Sequence, residues 1–338
     1  YGYWGPNLVR NFFEHPEVEV RYVCDIAPDR LDRIACKYPS IQVTSDCGLL
    51  FNDDDVDIIA IATPASSHFP LAKTALLAGK HVFVEKPMCL RSEDCLELIA
   101  LAEARKLTLA VDHPFIFHGA VRRIKRELDS FALGDVLYFD SVRINLGLFQ
   151  NDINVVWDLA PHDLSIIDFL FRQSPISVQA FGKSHSDSGL EDMAYVTLTY
   201  ESGMVAHLNL SWLSPVKVRQ ILIGGTNKMI AYDDLQATEK IKIYDKGVAF
   251  KPDLTAEARY NSLVQYRMGD TFAPVLDLTE ALTVEIDQFV RCIRSGEQPD
   301  SDGWCGYRIV SLLEEIDRAM SSGQTRDLRN SATRACLK

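Results

Sequence analysis

Val56-Asp-Ile-Ile-Ala-Ile-Ala-Thr-Pro64 and Gly79-Lys-His-Val-Phe-Val-Glu-Lys-Pro87 are the two stretches from which the architecture of this chain follows. Each contains a short, continuous apolar run, which is typical of a strand buried on both faces of a parallel sheet. The residues between the runs carry apolar side chains at helical spacing, and Gly79 fits a helix stop. The pattern predicts a strand–helix–strand crossover, in which both stretches end at the carboxyl edge of the sheet, where ligands bind in open α/β proteins.

The surrounding sequence extends this crossover into a doubly wound region over residues 1–115. Residues 18–25 form a strand-like run that ends in an acid, and residues 41–44 and 107–112 have the character of strands. Helical patterns occupy residues 28–37 and 92–106. This is a Rossmann-type parallel sheet whose first strand is missing from the sequence, so we expect the chain to be an N-terminally truncated piece of a longer protein.

The sequence pattern changes after residue 115, where short runs of alternating apolar and polar residues are separated by residues typical of turns. Glu201-Ser202-Gly203 and Gly224-Gly225-Thr226-Asn227 are typical of hairpin turns. Residues 116–338 therefore predict a substrate-binding and oligomerisation domain of α+β class with a mostly antiparallel, open sheet. Late helices are predicted at residues 279–294 and 307–320, and we expect the second of them to pack back on the first domain.

Composition limits the classes of partner. The chain has 338 residues and 47% apolar residues, enough for two cores, and its formal charge of −12 argues against nucleic acid and anionic membranes. No apolar run approaches the roughly 18–20 residues of a membrane span. The eight cysteines contain no C-x-x-C pair, which favours buried free thiols over disulfides or a zinc site and indicates a reducing cytoplasm.

A nucleotide-binding turn is indicated at the start of the chain. Gly2-x-x-Gly5 matches the second half of a G-x-G-x-x-G turn, in which glycines let the backbone approach a pyrophosphate at a helix N-terminus. Asp25 follows about 20 residues later, where an acid binds the ribose hydroxyls and disfavours a 2′-phosphate. These residues favour NAD over NADP; taken alone, they also fit a turn with a surface aspartate.

Two further motifs carry candidate chemistry. Asp158 and His162 are one helical turn apart if Pro161 stands in a first turn, where proline is tolerated. A histidine held by a carboxylate can take a proton from an alcohol, although a helix cap beside a structural histidine is the alternative. Lys86, at a strand end, can stabilise a developing alkoxide or be an ordinary surface lysine. A metal is not predicted, because no third ligand lies near the pair.

These motifs together resemble the Gfo/Idh/MocA family (glucose–fructose oxidoreductase, inositol dehydrogenase and rhizopine catabolism) over nearly the whole chain. The resemblance implies that Lys86 and His162 flank the substrate, with His162 as acid/base and Asp158 as its partner. It also implies dimers or tetramers formed through the open sheet. Residues implied to bind the nicotinamide half are Thr63, Pro64, His68, Glu85 and Lys86, and those implied to line the pyrophosphate are Gly2, Tyr3, Trp4 and Gly5.

Residues 113–122 and 145–162 are similar to the branch of the family that acts on nucleotide sugars, including UDP-N-acetylglucosamine 3-dehydrogenase-like enzymes. This implies an NAD-dependent dehydrogenase acting on a secondary alcohol of a sugar or nucleotide sugar. Candidates for substrate contact are His113, Arg143, Asn145 and Asn154. Two alternatives stay open: a glycosidase that uses NAD transiently, and a non-catalytic regulator that senses NAD or a sugar.

Overall fold

The computed structural model describes residues 1–147, 152–249 and 265–329. Its contacts group into two units, the first made of residues 1–117 and 279–314, and the second of residues 118–278 with the chain from 315 onward. The sequence-based division into 1–115 and 116–338 assumes continuous domains. Long-range packing of residues 279–314, described below, makes the first unit discontinuous.

The first unit is built on parallel strands joined by helices. β1 pairs with β2, and β3, β4 and β5 form a second parallel sheet, with Ile61 opposite Val84 and Glu85 opposite Asp112. The predicted crossover and the α/β class are confirmed. The elements are α1 Gly5–Glu14, β1 Tyr22–Cys24, α2 Pro28–Lys37, β2 Gln42–Thr44, α3 Gly48–Asn52, β3 Ile58–Ile61, α4 His68–Leu77, β4 His81–Glu85, α5 Ser92–Arg105 and β5 Leu109–Asp112.

Besides a two-stranded sheet formed by β13 and β14, the second unit is built on one large sheet and a long helix. Within the described residues the sheet has nine strands in the order β15-β12-β11-β10-β6-β9-β8-β7-β16, and only β6 and β9 are parallel. The two predicted hairpins are present as β8–β9 and β10–β11. The elements are α6 Gly119–Asp129, β6 Val136–Leu146, α7 Val155–Phe171, β7 Ser177–Lys183, β8 Met193–Thr199, β9 Val205–Ser211, β10 Leu213–Gly225, β11 Met229–Asp233, β12 Ile241–Tyr244, β13 Gly247–Ala249, β14 Gln265–Arg267, β15 Thr271–Phe272 and β16 Arg326–Asp327.

Two late helices follow, α8 Ala281–Ser295 and α9 Gly303–Ser322. α8 buries Leu282, Ile286 and Phe289 in the cluster that contains Phe12 and Phe83. The Phe83 and Phe289 rings meet edge to face with centroids 5.3 Å apart. This burial explains why residues 279–314 belong to the first unit.

The two faces of the large sheet differ in what covers them. α7 packs against β8 and β9, where Val196 and Leu208 are fully buried. Side chains of the opposite face alternate with these and are partly exposed, among them Phe181, Tyr195 and Val205. One face therefore forms the core of the unit, and the other presents apolar side chains to its surroundings.

Two local predictions are wrong. Pro161 lies in the interior of α7, because the helix begins at Val155 and not beside the proline. An interior proline costs about 3 kcal/mol, which the extensive burial of α7 offsets. The cysteines in the described residues are free thiols, but Cys36 and Cys47 are exposed rather than buried.

Candidate active site

The carboxyl edge of the first unit is held together by His68. Its imidazole is 1% exposed, and its ring nitrogens lie 2.8 Å from the carbonyl oxygens of Thr63 and Pro87. The imidazole thus bridges the turn after β3 and the turn after β4, which carry Pro64 and Lys86. The Lys86–Pro87 peptide bond is cis. The buried imidazole of His68 therefore supports both of these turns and does not project from the sheet edge into solvent.

The turn before α1 fits a pyrophosphate. α1 begins at Gly5, its N-cap residue Trp4 makes no side-chain cap, and its first turn contains no acidic residue. The first amides of a helix need acceptors, and an anion satisfies them. Asp25, just after β1, accepts a hydrogen bond from the Ala27 amide at 2.9 Å and lies 3.2 Å from Arg30 Nη1. These residues match the donors and the acid that a dinucleotide requires.

Lys86 stands beside a buried group of acids at the ends of β4 and β5. Glu85 accepts a hydrogen bond from the Lys86 amide at 2.9 Å, and Asp112 is its register partner. The neighbouring His113 is 1% exposed, and burial together with the Lys86 charge lowers its pKa to about 3. His113, a candidate for substrate contact, therefore lies inside the first unit as a neutral imidazole.

In the second unit, α7 presents the predicted pair. Asn154 caps the helix, its Oδ1 accepting from the amides of Val156 at 3.1 Å and Trp157 at 3.2 Å. One turn of helix then separates Asp158 from His162. Asp158 Oδ2 accepts from the indole of Trp212, 3.0 Å away. The carboxylate proposed to orient His162 is thus itself oriented by a buried tryptophan.

A buried ion pair anchors the same helix next to His162. Arg143 on β6 donates from Nε and Nη2 to the two carboxylate oxygens of Asp163, at 3.1 and 2.8 Å. The two side chains are 5% and 0% exposed. Burial alone would lower the pKa of Arg143, but the charge and hydrogen bonds of Asp163 outweigh it and raise that pKa. Asn145, two residues further along β6, is half-buried.

Sequence reasoning missed Asp163 and Trp212. Asp163 directly follows His162 in the chain, and an acid adjacent to a candidate base is a signal that could have been weighed. Trp212 is 54 residues from Asp158, and only the pairing of β9 with β8 and β6 brings it near. Within each unit the structure assembles the predicted groups; the convergence of Lys86 and His162 on one substrate stays a prediction.

Comparison with known protein families decides the identity of the fold. Residues 1–113 match the oxidoreductase family with an NAD-binding Rossmann fold, and residues 121–231 match the GFO/IDH/MocA C-terminal domain. The chain belongs to the Gfo/Idh/MocA family. The expected family, its NAD-binding Rossmann domain and its oxidoreductase class are confirmed.

Several known proteins are similar to this chain over most of its length. UDP-N-acetylglucosamine 3-dehydrogenase of Acidithiobacillus ferrooxidans is 29% identical over 271 residues, which are 79% of this chain and 80% of that protein. A solved structure of that enzyme has a TM-score of 0.79 at 26% identity and covers 95% of both chains. GenD2 from gentamicin A biosynthesis, solved in complex with NAD, shares the fold, with a TM-score of 0.81 at 21% identity and coverage of 96% of this chain and 93% of that one.

A relative with another kind of reaction in its name is also similar. The 2,7-anhydro-N-acetylneuraminate hydratase of Escherichia coli is 25% identical over 258 residues, covering 72% of this chain and 68% of that protein. The relatives of this chain therefore include a protein named as a hydratase beside those named as dehydrogenases.

Residues 1–147, 152–249 and 265–329 contain no group of three or more histidine, cysteine, aspartate or glutamate side chains that could hold a metal ion. Nor does any helix there combine the length and the apolar character needed to cross a bilayer.

Proposed function

We propose that this protein is an NAD-dependent dehydrogenase that oxidises a secondary alcohol of a sugar, with nucleotide sugars as its substrate class. The observation that carries the proposal is the Asp158–His162 pair on α7, held by Trp212 and by the Arg143–Asp163 ion pair. The similarity to UDP-N-acetylglucosamine 3-dehydrogenase over four-fifths of both chains supports the substrate class.

Each polar group has a role in this reaction. His162 removes the proton of the substrate hydroxyl, and Asp158 holds the imidazole in the orientation this transfer requires. Lys86 stabilises the negative charge that develops on the same oxygen. A bound NAD would supply the hydride acceptor for the carbinol carbon, next to Lys86 and His162. The glycine turn before α1 and Asp25 are proposed to hold its pyrophosphate and its adenosine ribose.

The four candidates for substrate contact differ in how deeply they are buried and in whether they already bond to protein groups. Asn145 is half-buried and remains the candidate for direct contact with a sugar. Arg143, Asn154 and His113 are buried, and the first two already bond to protein groups. We propose that these three shape the substrate site through the elements they hold.

A ligand panel tests the proposal. Thermal shift with NAD, NADP, UDP-sugars and polyols is followed by NADH formation with every ligand that stabilises the protein. A ligand at 100 times its Kd adds about 2.7 kcal/mol to the free energy of unfolding. We expect a larger shift with NAD than with NADP, and NADH formation with a UDP-sugar. Turnover of polyols alone would contradict the substrate class, and no turnover with any sugar would contradict the dehydrogenase.

A second candidate is a reaction that uses NAD transiently and restores it at the end of each cycle. The similarity to a hydratase favours keeping this candidate. Release or addition of a group on the sugar without net NADH would identify it, whereas the dehydrogenase produces one NADH for each sugar oxidised.

We also propose that the protein is a homodimer or homotetramer formed through the outer face of the large sheet. Phe181, Tyr195 and Val205 lie on that face with exposed fractions of 61%, 39% and 39%, and exposed apolar patches mark interaction sites. Light scattering of wild type and Phe181→Lys is expected to show a multimer and a smaller species, respectively. A monomeric wild type would contradict the assembly.

A cytoplasmic location is proposed from the free thiols.

A further inference from the structure

Three carboxyl groups meet at the carboxyl ends of β4 and β5 in the first unit. Asp112 is the register partner of Glu85, and the charges of Asp112 and Glu85 both act on Glu285. Glu285, from α8, is fixed through Oε1, which accepts from the His113 amide at 2.8 Å and from Ser301 Oγ at 3.3 Å. Asp112, His113 and Glu285 are each 1% exposed.

A count of donors shows that a proton is needed in this group. Asp112 Oδ2 accepts from the indole nitrogen of Trp4 at 2.6 Å. Asp112 Oδ1 and Glu285 Oε2 are buried and have no donor among the residues that the structure describes. Two carboxylates cannot satisfy each other, since neither has a hydrogen to donate. A single proton on Glu285 Oε2 satisfies both oxygens.

We infer that Glu285 is a neutral acid that donates its proton to Asp112, and that it acts as a positioning residue for the nucleotide turn and for Lys86. Asp112 is then the carboxylate of the group, held by Trp4 from the turn before α1 on one side and by Glu285 on the other. The consequence of this inference for NAD binding rests on the proposed function, because Trp4 belongs to the turn that is proposed to hold the pyrophosphate.

The charges around the group support this assignment. Burial, followed by the repulsion from Asp112, raises the pKa of both Glu85 and Glu285 well above the usual range. Burial also raises the pKa of Asp112, but hydrogen bonds from Trp4, Glu85 and Glu285 offset part of that rise. Burial and repulsion thus favour a neutral glutamate over a neutral Asp112. Lys86 lowers the pKa of Asp112 through its charge, and burial lowers the pKa of the neighbouring His113 to about 3.

A consequence for cofactor binding follows. At alkaline pH Glu285 loses its proton, and two adjacent carboxylates then repel each other beneath Trp4. The turn before α1 is distorted, and the affinity for NAD falls. A glutamine at position 285 keeps a donor toward Asp112 and an acceptor toward the His113 amide, so it imitates the neutral acid at every pH.

Infrared spectroscopy of the full chain, recorded without NAD or substrate, tests the assignment. We expect wild type at neutral pH to show the carbonyl band of a protonated carboxyl group, shifted in D2O. Glu285→Gln should weaken this band, and Glu280→Gln, which changes an acid of the same unit with 45% side-chain exposure, should not. Absence of the band in wild type would by itself overturn the inference. A band of equal intensity in Glu285→Gln and wild type would also overturn it.

Binding of NAD as a function of pH tests the consequence. We expect the Kd of wild type to rise at least fivefold between neutral and alkaline pH, and that of Glu285→Gln to stay within twofold. Equal pH dependence of the two proteins would contradict the positioning role. Neither measurement requires turnover, so failure of the proposed dehydrogenase reaction would be seen separately.

Discussion

Each unit carries a buried polar group next to one candidate catalytic residue, and the two groups are stabilised in opposite ways. Beside Lys86, we infer that a neutral Glu285 donates its proton to Asp112, and both side chains are 1% exposed. Beside His162, the Asp163 carboxylate forms a buried ion pair with Arg143 at 2.8 Å. A buried support next to a candidate catalytic side chain is thus an acid group with an inferred proton in one unit, and an ion pair of opposite charges in the other.

The largest effect is expected from breaking the ion pair. Arg143→Met leaves the Asp163 carboxylate buried without its partner, and loss of one member of such a pair costs about 3–5 kcal/mol. Urea unfolding followed by circular dichroism measures this change. The double variant Arg143→Met with Asp163→Leu removes both charges and is expected to recover most of the loss. A double variant as unstable as the single one would show that the charge is not the cause.

A second buried carboxylate of the same unit, that of Asp192, is expected to make the stability of the protein fall in acid. Burial would raise the pKa of Asp192. The hydrogen bonds and the charge of His185, together with a hydrogen bond from the backbone amide of Ser186, outweigh burial and lower that pKa. Its stabilising contribution is therefore present above the ordinary aspartate pKa and is lost as the pH falls through the lowered value. Asp192→Asn is expected to cost about 1.5–3 kcal/mol at neutral pH and to flatten the acid side of the stability curve. An unchanged acid slope would refute this cause.

Removing the support of Asp158 is expected to have a moderate effect. Trp212→Phe keeps the aromatic packing and deletes the donor to Asp158 Oδ2, a hydrogen bond to a charged group worth about 1.5 kcal/mol. Since 1.36 kcal/mol corresponds to tenfold in rate, kcat should fall about tenfold with little change in KM for the sugar. Trp304→Phe, whose indole donates to Glu103 in the other unit, is the matched control. Equal losses in both variants would indicate a general packing defect.

No loss of stability at neutral pH is expected from removing the ionisable group of Glu285 beside Lys86. Glu285→Gln should unfold at least as late as wild type, because glutamine imitates the protonated acid and, unlike glutamate, takes up no proton on folding. The pKa of Glu285 is raised in the folded state, so its stabilisation is present below the ordinary glutamate pKa and is lost as the pH rises through the folded value. Wild type should therefore be destabilised in alkali more than the variant. A variant that is strongly destabilised at neutral pH would mean that Glu285 is ionised.

The sequence predicted the elements whose patterns are local. β4 and its turn could be recognised because Val82, Phe83 and Val84 form a continuous apolar run, and all three are fully buried. The hairpin at Glu201-Ser202-Gly203 could be recognised from its turn residues. In contrast, Pro161 misled the prediction of where α7 begins, because the cap provided by Asn154 and the burial of the helix outweigh the local preference of proline.

Contacts between distant residues could not be predicted in this way. Glu285 reaches the His113 amide across 172 residues, and Trp212 reaches Asp158 across 54. Neither glutamate nor tryptophan at these positions belongs to a motif, so only the folded chain reveals that they support the candidate site. The motif residues were found from sequence, and their supports were not.

Chemical rescue of His162→Gly tests most directly whether this imidazole is the base. With NAD and a sugar that wild type oxidises, we expect kcat to fall by about 100-fold to 10,000-fold, and added imidazole to restore part of the lost rate. Lys86→Ala, measured in the same way, should lose activity without responding to imidazole. A His162→Gly variant that retains its rate, or that imidazole affects no more than it affects Lys86→Ala, would contradict the role of His162.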